Sequence, residues 1–303
     1  MLGTGQALAA DFTDIAAGDH AMVSIEEQAV VRQELPRTLF GFNINHHYFQ
    51  EDFWQADRRQ VNPKITEALQ PFSGSLYRYP GGLVANRFWW QQAVGPPAQR
   101  RPQKAVNEDP AEPVLFGVNE YLDFVKAVGG RPLYVLNLVG WHADAMIDEK
   151  PSDELARSNA ELAALIMKHP AAARVPRYYQ LGNELDRSEY QWSYAKYVDR
   201  ARDTIKSVRA VDKDAKFIAF LRDFDWSYTA KAATPGVSRF EDFIPTVLEG
   251  LPDVDDFSMH FYYDDLGEVK KKMHTPFVFD GRNLFDPETM RQYGFTYYAV
   301  GRP

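Results

Sequence analysis

The sequence contains no cysteine. Disulfides, thiolate nucleophiles, thiolate metal sites and iron–sulfur clusters are therefore excluded, while the compartment stays open, because exported proteins also do without cysteine. A long apolar run is missing too: nothing approaches the roughly 20 residues that span a bilayer. Positive charge is in deficit. There are 34 Lys and Arg against 42 Asp and Glu, a formal net charge of −8. A field of that sign attracts neither nucleic acid nor an anionic membrane surface. A nucleotide-binding glycine loop is lacking as well. The early stretch GTGQAL imitates one, but no strand precedes it, and Leu8 stands where Gly or Ala is needed.

What is present is a globular composition. The 303 residues are 45% hydrophobic and 14% aromatic, with 16 Tyr, 20 Phe and 6 Trp. That is enough for one large core or two smaller ones. Aromatics in such numbers also suggest flat-faced ligands such as sugars. The opening MLGTGQALAADFTD contains ALAAD, which looks like the cleavage end of an export signal, although the charged and greasy parts are missing. A clipped signal would imply a secreted or periplasmic protein; an ordinary N-terminus would imply a cytoplasmic one.

Along the chain, short apolar runs alternate with helix-like stretches. Strands are expected near 39–45, 75–79, 132–138, 178–182, 216–221 and 256–262, with later ones at 276–280 and 295–300. Helices are expected near 63–69, 116–130, 152–169, 190–211 and 240–251, and 91–113 is a long loop rich in Pro, Gln and Arg. Strand–helix–strand repetition means parallel βα units. Polar residues collect at the C-terminal ends of the strands: Asn43, Asn45 and His46, Arg78, Asn137, Asn183 with Glu184, Arg222 with Asp223, and His260 with Tyr262. Spread over six strand ends, they favour a (β/α)8 TIM barrel, incomplete or atypical in its last two βα units, over an open doubly wound sheet. The expected organisation is an N-terminal extension at 1–37, a barrel at 38–263 and a tail at 264–303.

The stretch YYQLGNELD (178–186) carries the leading chemistry. A carboxyl at the mouth of a buried strand is placed to donate a proton to a glycosidic oxygen, which makes Glu184 the candidate acid; Asn183 could hold a sugar hydroxyl. The alternative for Glu184 is a loop acid capping the following helix. In SLYRYPGG, alternation turns Tyr77 and Tyr79 one way and Arg78 the other. Arg78 would orient a carboxylate or form a structural salt bridge. His260 and Tyr262 share a strand face and would meet substrate. Asn137 and Trp141 end the third strand and are further substrate-binding candidates; Trp89, Trp90 and Trp192 are stacking candidates, with core packing as the alternative. His46 and His47 lack a third ligand at useful spacing, so no metal and no other cofactor is expected. The oligomeric state is left open.

LYRYPGGLVANRFWW, YYQLGNELD and FSMHFYY together resemble the retaining glycoside hydrolases of the large (β/α)8 clan, with α-L-arabinofuranosidases as the nearest branch. That resemblance covers about 38–263. It implies a carbohydrate substrate, Glu184 as general acid/base with Asn183 before it, and Arg78, His260 and Tyr262 in the site. It also implies a nucleophilic Glu on the seventh strand. The acids after His260 are Asp264, Asp265, Glu268, Asp280, Asp286 and Glu288, and none has the family's nucleophile setting. Asp280, at the end of PFVFD, is the candidate second carboxylate. Without one the chain would be a weak enzyme or a non-catalytic sugar-binding barrel. The tail from about 266 to 302 resembles the C-terminal end of UDP-glucose dehydrogenases, where Arg282 would hold a UDP-sugar. A fusion with a junction near Tyr263–Leu266 is the expectation. Dehydrogenase activity is not implied, since that family's catalytic Cys is absent.

Overall fold

The structure is a computed structural model describing residues 36–45, 53–55, 57–104, 110–141, 148–173, 175–187, 190, 192–221, 246–260, 277–280 and 287–299. The chain divides into two compact units, one of Glu34–His260 and one of Met1–Gln33 with Phe261–Pro303. In chain order the strands are β1 (Gly41–Asn43), β2 (Trp54–Gln55), β3 (Gln60–Val61), β4 (Leu76–Tyr79), β5 (Arg131–Leu136), β6 (Tyr178–Leu181), β7 (Lys216–Leu221), β8 (Asp256–Met259), β9 (Phe277–Asp280) and β10 (Thr296–Ala299). The larger unit holds a six-stranded sheet in the order β1-β4-β5-β6-β7-β8, parallel throughout. It curls through about 205°, a half-barrel with flanking helices. β9 and β10 pair in parallel with each other, in a sheet of their own.

The helices follow from apolar spacing and end signals. α1 (Pro63–Leu69) starts where the Asn62 side chain accepts from the Lys64 N–H, with Pro at the first helical position. α2 (Val118–Ala127) buries Val118, Tyr121, Leu122, Phe124 and Val125. It closes at Gly129, whose φ of 65° L side chains resist, as Gly130 N–H reaches back to Val125 C=O. α3 (Ser152–Lys168) and α4 (Tyr194–Val211) each bury one stripe and pack against each other.

The alternation expected in β4 sorts the two faces of the sheet. Tyr77 and Tyr79 turn outward beneath α2 and are fully buried. Tyr79 stacks on Tyr121 at 4.6 Å, and Tyr77 meets Phe124 edge-on at 5.1 Å. Burial pushes the phenols of Tyr79 and Tyr121 well up, so both stay protonated; Tyr79 donates to Phe116 C=O and Tyr121 to Tyr77 C=O. These aromatics form core rather than a sugar platform. The inner face carries a smaller apolar cluster of Ala85, Leu133, Val135 and Ile218, with Leu76 and Tyr178 against it. Arg78 and Gln180, two residues further along their strands than Leu76 and Tyr178, project from that inner face at its C-terminal rim.

Candidate active site

β6 ends at Leu181, and the chain turns sharply at once. Gly182 adopts φ 75°, and Glu184 adopts φ 48°, a left-handed conformation rarely taken by a residue with a side chain. A Cβ on Gly182 would lie 2.5 Å from Leu185 Cδ1. Asn183 and Glu184 are both buried in this turn, at 1% and 8% exposure. Buried backbone groups need partners, and Asn183 has passed the end of the strand ladder. The Asn86 side chain supplies both: Asn183 N–H donates to Asn86 Oδ1 at 3.0 Å, and Asn86 Nδ2 donates to Asn183 C=O at 2.6 Å. Asn86 Nδ2 also donates to the Tyr190 hydroxyl at 2.9 Å.

Arg78 fixes the Asn183 side chain. Its Nη2 donates to Asn183 Oδ1 at 2.7 Å, its Nη1 to Asn43 Oδ1 at 2.6 Å and Gly81 C=O at 2.7 Å, and its Nε to Gln180 Oε1 at 2.9 Å. These four bonds go to uncharged oxygens. Because guanidinium only donates, the Asn183 atom facing it must be the oxygen. Asn183 Nδ2 is thereby directed elsewhere, and it is buried with no hydrogen-bond partner among the described residues.

Glu184 does not cap the helix after it. Ser193 does, accepting from Lys196 N–H at 3.2 Å. The Glu184 carboxyl is instead held from two sides. His260, which follows β8, brings Nδ1 to 2.7 Å from Oε1, and Arg187 Nη1 donates to Oε2 at 3.3 Å. Arg78 with Asn183 and Glu184 with His260 thus form two hydrogen-bonded pairs joined through the Asn183–Glu184 peptide.

Other candidates fall elsewhere. Three of the four hydrogen bonds of the Asn137 amide lie in its own turn, Nδ2 donating to Gly140 C=O and Oδ1 accepting from the N–H groups of Val139 and Gly140, while Nδ2 also donates to the distant Phe88 C=O. These bonds shape the chain after β5. Trp141 stacks on Trp89 with centroids 5.8 Å apart and planes 16° apart, and Arg101 lies over Trp89. Trp90 donates to Ser158 Oγ, and buried Trp192 lies under Lys196 and Arg200, so both are packing residues. Tyr262, His46, His47 and Arg282 lie outside the described residues, as does the side chain of Asp280 at the end of β9. Sequence reasoning missed Asn86 and Gln180. Gln180 was findable, since alternation puts it on the Arg78 face; Asn86, within a short 3-10 turn at Leu83–Asn86, gave no such signal.

A cleft of about 700 Å³ lies among Trp54, Arg59, Glu67, Gln70 and Asp123, and none of the strand-end network lines it. Position and chemistry favour the strand ends over that cleft, because parallel βα sheets build their sites there. Among the described residues no group of three His, Asp or Glu is placed to hold a metal ion, and no helix is long and apolar enough to cross a membrane.

A parallel, curled βα sheet with a buried Asn–Glu turn at one strand end defines a (β/α)8-type scaffold with its polar cluster at the C-terminal rim. Comparison with known proteins narrows this. Residues 68–266, more than half of the chain, match the family described as Alpha-L-arabinofuranosidase 1 domain, and the chain belongs to that family. An intracellular exo-α-(1→5)-L-arabinofuranosidase of Streptomyces lividans is 26% identical over 243 residues, 75% of this chain and 34% of the relative. One from Halalkalibacterium halodurans is 26% identical over 261 residues, 77% of this chain and 47% of the relative. The family 51 α-L-arabinofuranosidase of Bifidobacterium longum has the same fold, with a TM-score of 0.60 at 16% identity over 78% of this chain and 46% of that one. The Thermotoga maritima α-L-arabinofuranosidase gives 0.57 at 19% identity, over 76% and 47%. The chain spans about half or less of the length of these relatives. The family match stops at residue 266, and these comparisons give no support to the expected UDP-glucose dehydrogenase-like tail.

Proposed function

We propose that the barrel unit binds an α-L-arabinofuranoside or a closely related glycoside at its C-terminal rim and that Glu184 is the general acid/base of its hydrolysis. The observation that carries this reading is the buried Asn183–Glu184 turn, in which a partnerless amide donor sits beside a carboxyl oriented by His260 and Arg187. A buried donor without a partner costs stability, and a sugar hydroxyl would supply the missing acceptor. Glu184 would protonate the departing glycosidic oxygen and then take a proton from the attacking water. The relatives' names support the sugar class. Hydrolysis of 4-nitrophenyl α-L-arabinofuranoside, with the β-xyloside and β-glucuronide as controls, tests it. Glu184→Gln keeps the shape and removes the transferable proton, so turnover should fall by about 100- to 10,000-fold. Unchanged turnover in that variant refutes the role of Glu184.

One observation favours a second reading, a barrel that binds sugar without cleaving it. Among the described residues directly at the C-terminal strand ends of the six-stranded sheet, Glu184 is the only carboxylate. Retaining hydrolysis needs a second, about 5–5.5 Å away, because one group cannot be both nucleophile and leaving-group acid. Asp280 is the proposed partner. Loss of turnover in Asp280→Asn supports it. Arabinose binding by calorimetry in a chain with no turnover supports the binding barrel.

A further inference from the structure

Asn86 is not used by the chemistry proposed above, yet it touches the key turn three times. Its carbonyl oxygen accepts from Asn183 N–H, and its amide nitrogen donates to Asn183 C=O and to the Tyr190 hydroxyl. The partners fix the identity of its atoms: an N–H needs an acceptor and a carbonyl needs a donor, so the amide has only one possible orientation. Asn86 is 1% exposed. It stands in for a strand neighbour beyond the end of β6, where β5 and β7 no longer pair with the chain.

We infer that Asn86 is a positioning residue for the reaction, acting through the Asn183–Glu184 backbone and resting on the assignment of Glu184 as the acid. The argument is geometric. Glu184 sits at φ 48°, a conformation that a side-chain-bearing residue leaves unless its surroundings hold it. Gly182 on one side is a flexible residue at φ 75°. Between them, the backbone of Asn183 is held at both its N–H and its C=O by a single side chain. Releasing that clamp frees the Glu184 backbone to relax. The carboxyl would then swing away from His260 Nδ1, now 2.7 Å distant, and Asn183 Nδ2 would lose its aim. The 97-residue separation in sequence between Asn86 and Asn183 explains why no local motif announces the pair.

The test compares wild type, Asn86→Ala and Asn86→Asp. The aspartate variant is isosteric and keeps the acceptor for Asn183 N–H, but sets an oxygen against Asn183 C=O. Two arabinofuranosides are hydrolysed: the 4-nitrophenyl compound, whose departure needs acid assistance, and the 2,4-dinitrophenyl compound, whose departure needs little. If Asn86 aims the acid, kcat for the 4-nitrophenyl substrate falls on the order of 100-fold, and for the dinitrophenyl substrate by much less. An equal fall on both, tracking the fraction of folded protein, overturns the proposal. A second measurement does not depend on turnover. Crystal structures of wild type and Asn86→Asp should show the His260–Glu184 contact present in the first and broken in the second. The same contact in both overturns the positioning role even if the chain proves to have no hydrolase activity. Absence of turnover in wild type with a broken contact in the variant counts against the assignment of Glu184 alone, and leaves Asn86 as the residue that sets the turn.

Discussion

Two arginines at opposite ends of β-strands in the same sheet, Arg177 buried and Arg78 half-buried, meet opposite surroundings. Arg177, just before β6, is matched charge for charge: its Nε and Nη2 grip Asp212 at 2.6 Å each, and its Nη1 donates to the carbonyls of Ala172 and Val175. The Tyr179 hydroxyl and Asp214 N–H complete the Asp212 carboxylate. Arg78, at the other rim, donates to the oxygens of Asn43, Gly81, Gln180 and Asn183, and among the described residues the amide that it fixes leaves one buried donor, Asn183 Nδ2, with no partner. The Arg177–Asp212 tie is complete in itself, although Ser75 Oγ, just before β4 at that rim, is also buried without a partner. The Arg78 network differs in being built from uncharged oxygens and in ending on a donor beside a carboxyl.

The strongest way to sharpen that contrast is to break the Arg177–Asp212 tie. Asp212→Ala leaves a buried guanidinium without its counter-charge and should cost about 3–5 kcal/mol of unfolding free energy, measured by urea denaturation. Any protein that still folds should keep its kcat. Asn183→Ala is the mirror experiment. It should lower kcat/KM roughly 100-fold by removing a donor aimed at substrate, while its urea midpoint falls far less than that of Asp212→Ala. The reverse pattern would dissolve the distinction between the rims.

Smaller effects separate the turn from the site. Gly182→Ala puts a Cβ into the left-handed region and against Leu185, and should cost about 1–2 kcal/mol. The mildest effect belongs to the N-terminal rim again. Burial acts to raise the Asp255 carboxyl, but its bonds to Lys216 Nζ and to Phe217 N–H outweigh that and hold it below the usual aspartate range. A depressed carboxylate contributes stability above its unfolded pKa and loses it as pH falls through the folded one. Asp255→Asn should therefore be less stable than wild type at pH 7, with the gap closing below about pH 4 in thermal melts.

Much of this contrast was legible in the sequence. The six strands of the sheet fall within a few residues of the apolar runs that predict them; the central strands β5, β6 and β7 are buried on both faces and bounded by polar residues, whereas β1 and β8 at the edges are more exposed. The strand-end clustering of Arg78, Asn183, Glu184 and His260 followed from the same rhythm. What stayed hidden was the partner list. Asn137 occupies a strand end like the others, but its amide is bonded to its own turn and to Phe88 C=O, a choice that period and position do not encode. Nothing in the spacing announced that Arg78 would bond the amide oxygens of Asn43, Gln180 and Asn183 and the Gly81 carbonyl of its own turn. Asn86 acts across 97 residues, beyond the reach of any spacing rule. The aromatic excess pointed toward sugar stacking, whereas Tyr77, Tyr79, Tyr121 and Phe124 fill the space beneath α2.

The most direct test of the account is where a sugar binds. A crystal of the Glu184→Gln chain soaked with an arabinofuranoside should show the sugar at the ends of β4 and β6, with one hydroxyl within hydrogen-bond distance of Asn183 Nδ2 and the glycosidic oxygen facing residue 184. A sugar bound instead in the cleft among Trp54, Arg59 and Asp123, with Asn183 Nδ2 still without a partner, would contradict it.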